Sequence, residues 1–326
     1  MRKLRLSIAA GFAGIALAVA TVAVPTAAHD AGVVAASLWE SPQGGHERDL
    51  LNGPYGAQMA PDPHDTYTFV RRKMHGANPG LVVTDSHGRT WHVKQPRYSR
   101  GDEGPVEVTI SRVLSAIGYH QPPNYYLPSF TMREGSHTHV VRGGRFRLSD
   151  PSMKSVGEWY WKSNPFVGTQ PYDGLLVVLL VFNSWDIKEP NNRVYDVQRN
   201  GHVERWYIVR DLGGALGEDT GLSPKRNDLE KFERTRFIKG VSGGFVQFVY
   251  HGKDPELFDK RITPDDVRWA CRLLADLDDR QWRDAFRAGG YGDLVSDRFI
   301  QKIHANIAQG LRLTNPAWRL AADDGR

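Results

Sequence analysis

Cysteine is almost missing: the 326 residues contain one, Cys271. No intramolecular disulfide can form, and one thiolate cannot build a zinc or iron–sulfur site. Internal repeats and long low-complexity segments are missing too, which sets solenoids and arrays aside. Charge of one sign is in short supply. The net charge is +5, but Arg2, Lys3 and Arg5 carry three of those charges within the first 28 residues, leaving +2 for the rest. So small a surplus gives no reason to expect a nucleic-acid partner. What is present is globular: 40% hydrophobic, 24% charged and 10% aromatic residues, a composition that excludes wholesale disorder, collagen and a multi-pass membrane protein. A chain of this length can bury a sizeable core unaided.

The three N-terminal cations precede an uncharged apolar stretch, Ile8 to Val24, and then Pro25-Thr26-Ala27-Ala28, with small residues at the minus-three and minus-one positions before His29. This is the pattern of a secretory signal peptide over residues 1–28. It predicts an exported protein, secreted or held in the cell envelope, with no stable membrane span once the signal is cleaved.

Residues 29–65, rich in Gly, Pro, Asp and His, read as a mostly irregular arm. Tyr67–Arg72 reads as a strand. Leu81–Thr84 and Arg89–Lys94 read as a hairpin about Asp85-Ser86-His87-Gly88. Pro105 opens a predicted helix to Ile117, with Val106, Ile110, Val113 and Leu114 at helical spacing and Gly118 as its stop. Val140–Leu148 reads as a short strand pair turning at Gly143-Gly144. From about 150 the pattern turns helical. Leu175–Phe182 is eight consecutive apolar residues, a helix buried all round or a buried strand. Arg193–Val197 and Arg205–Val209 form a predicted hairpin about Asn200-Gly201. Thr263-Pro264-Asp265-Asp266 starts a helix to Leu277, and two more helices follow near 279–288 and 296–310. The expected fold is α+β and two-lobed: a β-rich lobe with one main helix over 66–150, a mostly helical lobe over 151–326, and a cleft between them.

Phosphoryl transfer needs a lysine to neutralise phosphate, a carboxylate to orient it, a base for the attacking hydroxyl, a cation beside that base, and oxygen ligands for a metal. Candidates occur in chain order. Lys94 ends a predicted strand, and Glu107 lies on the helix after it, with Glu103 as its competitor. Asp186, Lys188 and Asn191 stand at the Asp-x-Lys-x-x-Asn spacing of a kinase catalytic loop, with Asn192 competing with Asn191. Asp211-Leu212-Gly213 follows an apolar strand, as a metal-binding Asp-Phe-Gly does.

These residues, with Trp91-His92-Val93-Lys94, Ser111-Arg112, Gly118-Tyr119, Trp185-Asp186-Ile187-Lys188 and Asp284–Tyr291, give a chain that resembles the atypical kinase superfamily from about Phe69 to Leu313. Within it the chain resembles uncharacterised exported bacterial proteins related to the CotH-like, HipA-like and phosphoinositide-kinase-like folds. The resemblance implies a two-lobed protein-kinase-like fold and a phosphotransferase. Lys94 would bind phosphates and Glu107 would hold Lys94. Asp186 would be the base with Lys188 as its electrostatic helper. Asn191 and Asp211 would ligate Mg²⁺ or Mn²⁺ alongside ATP or another nucleotide. The chain departs from the pattern in three places. His75–Gly80 lacks G-x-G-x-x-G spacing, Ser184-Trp185 stands where kinases carry His-Arg, and no Ala-Pro-Glu follows Asp211-Leu212-Gly213.

Each residue also has a plainer role. Lys94 could be a solubilising strand-edge lysine, Glu107 a helix-dipole carboxylate, Asp186 and Lys188 a solvated turn pair, and Asp211 the start of a Gly-rich turn. The scattered histidines, His137 and His139 among them, offer at best a two-ligand metal site. Trp159-Tyr160-Trp161 reads as a core cluster, and hydrolase chemistry is set aside. The acceptor is an unknown hydroxyl on a protein or small molecule. ATP is scarce outside the cytoplasm, so a non-catalytic envelope binding module stands as a second expectation and AMP transfer as a third.

Overall fold

In the computed structural model, residues 33–73, 79–96, 101–219 and 225–314 are described. The expected signal segment 1–28 and residues 75–78 of the Gly-bearing loop lie outside them.

Period-two alternation organises the first half. Strands β2 (Thr66–Arg72), β3 (Gly80–Thr84), β4 (Thr90–Lys94), β5 (Asn124–Glu134) and β6 (His137–Leu148) turn Tyr67, Val83, Trp91, Val93, Phe130 and Phe146 into one shared core. The order is β2-β3-β4-β6-β5, and parallel pairing of β2 with β5 closes the sheet into a barrel. Closure removes the exposed edges that an open sheet would leave. Nothing in the local pattern announced it.

One expectation is overturned here. Gly143-Gly144 is not a turn, and β6 is a single strand of 12 residues paired with β5, whose connection is Gly135-Ser136. The two glycines instead serve close approach. A Cβ on Gly143 would lie 1.7 Å from the Leu127 carbonyl oxygen, and one on Gly144 would lie 2.1 Å from that of Lys94. In the β4–β6 register Lys94 faces Arg145 and His92 faces Arg147. Since Trp91, Val93 and Phe146 fill the barrel, these four polar side chains take the opposite face.

Helix α1 (Glu103–Ala116) starts two residues before the expected Pro105, because Asp102 caps it by accepting from the Gly104 N–H. All its residues but Ser115 are buried. Its apolar positions join the large core of the second half rather than the barrel's. Helix α2 (Gln170–Val181) is the all-round buried helix among the two expected alternatives. It packs on α4 (Pro264–Ala275) and α6 (Asp293–Leu311), with α5 (Asp279–Ala288) against α1. Both α4 and α5 begin in capping boxes, Thr263/Asp266 and Asp278/Gln281. Trp159 and Trp161 are core residues.

The second half holds the expected Arg193–Val209 hairpin together with strands the sequence reading did not anticipate, Met153–Gly157, Ile238–Ser242 and Phe245–Phe248. β7 (Met153–Gly157), β8 (Asn192–Arg199) and β9 (His202–Val209) form a sheet that β1 (Val33–Ser37) extends in parallel beside β9. After the short helix α3 (Leu229–Arg234), β10 (Ile238–Ser242) and β11 (Phe245–Phe248) make a separate hairpin. The β8–β9 turn is Asn200-Gly201, both at positive φ, as a two-residue hairpin turn requires. The expected irregular arm thus carries β1, and further contacts tie it down. Arg48 donates to the Ala116 carbonyl at 2.5 Å, and the buried Gln281 amide donates to the Gly45 and Arg48 carbonyls at 3.1 Å. Among the described residues no helix is long and apolar enough to cross a membrane.

The close approach at Gly143 sets a test. Gly143→Ala should cost about 3 kcal/mol in denaturant unfolding, because the β5–β6 ladder must open to admit the methyl group. Gly135→Ala, at an exposed turn with φ of 62° and open space around it, should cost only about 1 kcal/mol. Equal stabilities would rule out the steric account.

Candidate active site

Lys94 is the last residue of β4, and its side chain is 11% exposed. Its ammonium meets three carboxylates: Glu103 Oε2 at 2.7 Å, Glu107 Oε2 at 3.1 Å and Asp211 Oδ1 at 3.2 Å. The competition between Glu103 and Glu107 has no single winner. They lie four residues apart on one face of α1, so both reach the same ammonium. Behind them stand two arginines. Arg145 Nε lies 2.9 Å from Glu107 Oε1, and Arg226 pairs with Glu103. Three cations and three carboxylates form a closed set.

Burial alone would raise the Glu107 carboxyl, but Arg145 and Lys94 outweigh it and hold the group below its ordinary value. Burial likewise opposes Asp211, yet Lys94, Arg147, Arg145 and Arg210 keep it well below the usual carboxylate range. The Asp211 side chain is 40% exposed, so water screens part of that effect. Asp211 also sits at a φ of 56°. A non-glycine residue held there is a strained choice of the kind that gathers at functional sites.

Backbone bonds stitch together the loops that carry the other candidates. The chain leaves α2 through Asn183, also at positive φ, whose amide donates to the Gly217 carbonyl at 2.7 Å. Trp185 N–H donates to the Gly214 carbonyl at 3.0 Å, and Arg210 N–H to that of Asn191 at 3.0 Å. Gly213 lies against the Glu103 side chain and Gly214 against that of Asp186, and a Cβ at either would fall within 2.7 Å of it. The result is one small cavity lined by Asp186, Lys188, Asn191, Asn192, Arg210 and Asp211. Lys188 Nζ bonds Asp186 Oδ2 at 2.8 Å. The Asn191 amide donates to the Asp186 carbonyl at 3.1 Å, and its Oδ1 accepts no hydrogen bond among the described residues. Asn192 is fully buried, and among the described residues neither end of its amide is partnered. All six sequence candidates therefore lie in or beside one constellation, joined at Asp211.

The sequence reading did not single out the basic residues. Arg145 and Arg147 alternate with barrel residues on β6, and only its register against β4 reveals that they share a face with Lys94. Arg147 and Arg210 form no ion pair with a carboxylate among the described residues, and each has a buried, unpartnered guanidinium nitrogen. Burial and these arginines push the His92 imidazole down to about 4, so it is neutral at physiological pH.

Other chemistry finds little support. Gly240-Val241-Ser242-Gly243-Gly244 has G-x-S-x-G spacing, which setting hydrolases aside overlooked. It forms the β10–β11 turn rather than a strand-to-helix elbow, and Ser242 is exposed. His137 and His139 are exposed on β6 and belong to no metal-sized cluster among the described residues. The cluster that exists, Asp65, Asp85 and His87, spends the Asp85 carboxylate on Arg89, Trp91 and two backbone N–H groups.

No family model matches the chain, and no curated protein matches it. Among solved structures the chain is similar to the Helicobacter pylori proinflammatory kinase CtkA, at 10% identity and a TM-score of 0.44 over 76% of this chain and 97% of that one. It is also similar to the Rio2 kinase of Chaetomium thermophilum in an ADP/Mg²⁺-phosphoaspartate complex, at 12% identity and a TM-score of 0.30 over 74% and 72% of the two chains. A third is the Golgi casein kinase, at 11% identity and a TM-score of 0.30 over 79% and 78%.

The charge set predicts a pH dependence. Glu107 and Asp211 have folded pKa values below their unfolded ones. Their stabilisation is therefore complete above about pH 5 and is lost as pH falls through the folded values. Glu107→Gln leaves Arg145 and Lys94 short of a buried counter-charge and should cost about 3–5 kcal/mol at pH 7. Its melting temperature should then fall less steeply than the wild type's between pH 5 and 3. Parallel slopes in the two proteins would remove Glu107 from the charge set.

Proposed function

We propose that the chain is an exported, Mg²⁺-dependent phosphotransferase with a two-lobed, protein-kinase-like fold, moving a phosphoryl group from a nucleotide to a hydroxyl acceptor. The observation that carries this reading is the meeting of Lys94, Glu107 and Asp211 beside the cavity that Asp186, Lys188 and Asn191 line. A lone lysine at a strand edge would face water. This one is held by carboxylates from a helix and from a strained turn.

The donor set suits a hard cation. Asp211 offers a carboxylate and Asn191 a carboxamide oxygen with no other bond, all oxygen, as Mg²⁺ prefers. Bound there, the ion would neutralise phosphate charge as it develops. Net charge agrees with this. Glu103, Glu107 and Asp211 are matched by Lys94, Arg145 and Arg226, so Arg147, Arg210 and the nearby Lys73 are surplus. An anionic magnesium–triphosphate would meet that surplus positive charge.

In the proposed step the acceptor oxygen attacks the γ-phosphorus and the bond from that phosphorus to the leaving diphosphate breaks. Asp186 takes the hydroxyl proton. Lys188, already beside Asp186, shields the transferring group. Lys94 holds the phosphates, and Glu103 and Glu107 hold Lys94.

Two experiments follow. Incubated with Mg²⁺ and γ-labelled ATP, the chain should transfer label to itself or to an acceptor, and α-labelled ATP should leave none. Label from the α position would instead mean AMP transfer, and neither label together with no nucleotide binding would leave a binding module. Asp186→Ala should lower transfer by about 10²–10⁴-fold and keep nucleotide binding. In melting scans, Mg²⁺ and nucleotide together at a hundred times Kd should stabilise by about 2.7 kcal/mol, a shift of several degrees. Either alone should do much less, and Asp211→Asn should cancel most of the joint shift. A well-folded sample with no joint shift for any common nucleotide, with Mg²⁺ or Mn²⁺, defeats the proposal.

A further inference from the structure

A roomy cavity lies away from Lys94, against the other side of α1. It measures about 580 Å³, within the range of small-molecule sites, and is bounded by the arm, the C-terminal end of α1 and the β8–β9 hairpin. Leu50, Pro54, Met153, Val197 and Trp206 give it apolar walls.

One wall residue is chemically out of place. Arg112 is 3% exposed, yet among the described residues its guanidinium makes no hydrogen bond and no ion pair. It lies over the face of Tyr125, 4.9 Å from the ring centre, and packs close against Gly53. A buried guanidinium with donors unspent is costly unless an anion meets it. Burial already pushes it down to about 10. Of the carboxylates around the cavity, Glu40 pairs with Arg199 at 3.1 Å and Asp150 accepts from the Ser152 hydroxyl at 2.7 Å; Asp49 accepts from Asn52 at 2.8 Å and attracts Arg112 through space, but makes no hydrogen bond or ion pair with it. The imidazole of His120 stacks on Trp206 at 4.1 Å, and burial drives it down to about 4, so it brings no charge. A second buried atom also lacks a partner, Gln121 Oε1, an acceptor on the same lining.

We propose that this cavity binds an organic anion, a carboxylate or phosphate ester with an apolar body, whose anionic head lies on Arg112 and whose hydroxyl or amine donates to Gln121. The site is separate from the Lys94 constellation and does not depend on phosphotransfer.

The test uses the whole chain and three probes, benzoate, phenyl phosphate and the neutral benzyl alcohol, followed by calorimetric titration. At least one anion should bind the wild type below about 10 mM and more tightly than the alcohol. Arg112→Met should weaken that anion by about tenfold or more and leave the alcohol unchanged. It should also melt no lower than the wild type, because an unpaired buried charge has been removed. Should that variant fail to fold, Arg112→Lys keeps the charge without the planar fork and should still weaken the anion. Binding lost in the Arg112 variants separates this site from the phosphate site, because Arg112 is not part of the Lys94 charge set. Whichever anion binds identifies the head group. No anion bound by the wild type, or binding that survives the Arg112 variants, overturns the proposal.

Discussion

A buried ammonium with three carboxylates around it constrains nearly everything else in this molecule. Charges taken out of water are tolerated only when their partners arrive together and in good geometry, and removing one partner leaves the others exposed to the full desolvation cost. Lys94, Glu103, Glu107, Asp211, Arg145 and Arg226 come from five separate places in the sequence. The barrel register must place Arg145 beside Lys94. Helix α1 must present its 103/107 face to both, and the turn after β9 must bring Asp211 back to them. A slip of one residue in β6 would send Arg145 into the barrel and Phe146 into the charge set.

Rigid elements supply that precision. Lys94 and Arg145 stand on paired strands, Glu103 and Glu107 on a helix buried on almost every side. The flexible parts of the constellation are the two loops, and they are bonded to each other at Trp185–Gly214 and Asn191–Arg210 rather than left to solvent. Positive φ at Asn183 and Asp211 marks where the chain bends sharply to make those bonds. Such local strain persists only where the surroundings over-determine the conformation.

What could be read from the sequence was local. Helices α1, α4, α5 and α6 were visible in spacing and caps, α2 only as an apolar run open to helix or strand, and the β8–β9 hairpin was visible in Asn200-Gly201. The six candidate residues were visible as spacings within loops or beside elements. What could not be read was non-local. Gly143-Gly144 looks like a turn because a glycine pair usually is one, and only the packed Leu127 and Lys94 backbones show why glycine stands there. The closing β2–β5 pairing joins segments about sixty residues apart and leaves no local trace. Arg145 and Arg147 look like surface residues of an alternating strand until the strand's other face is covered. Glu103 and Glu107 appeared to compete because a sequence shows two residues and not the one ammonium between them.

The arm has a consequence for the order in which the chain can acquire its shape. β1 has its partner in β9, and the Gly45 and Arg48 carbonyls have theirs in Gln281 of α5. On a chain made from its N-terminus, residues 33–50 emerge early and wait for about 150 residues before β9 exists, and for more than 200 before α5 does. Until then they have nothing to pair with. Long-range pairing of this kind slows folding and delays closure until most of the polypeptide has appeared. The segment therefore stays pliable while most of the polypeptide is made, and the latch that secures it arrives near the end.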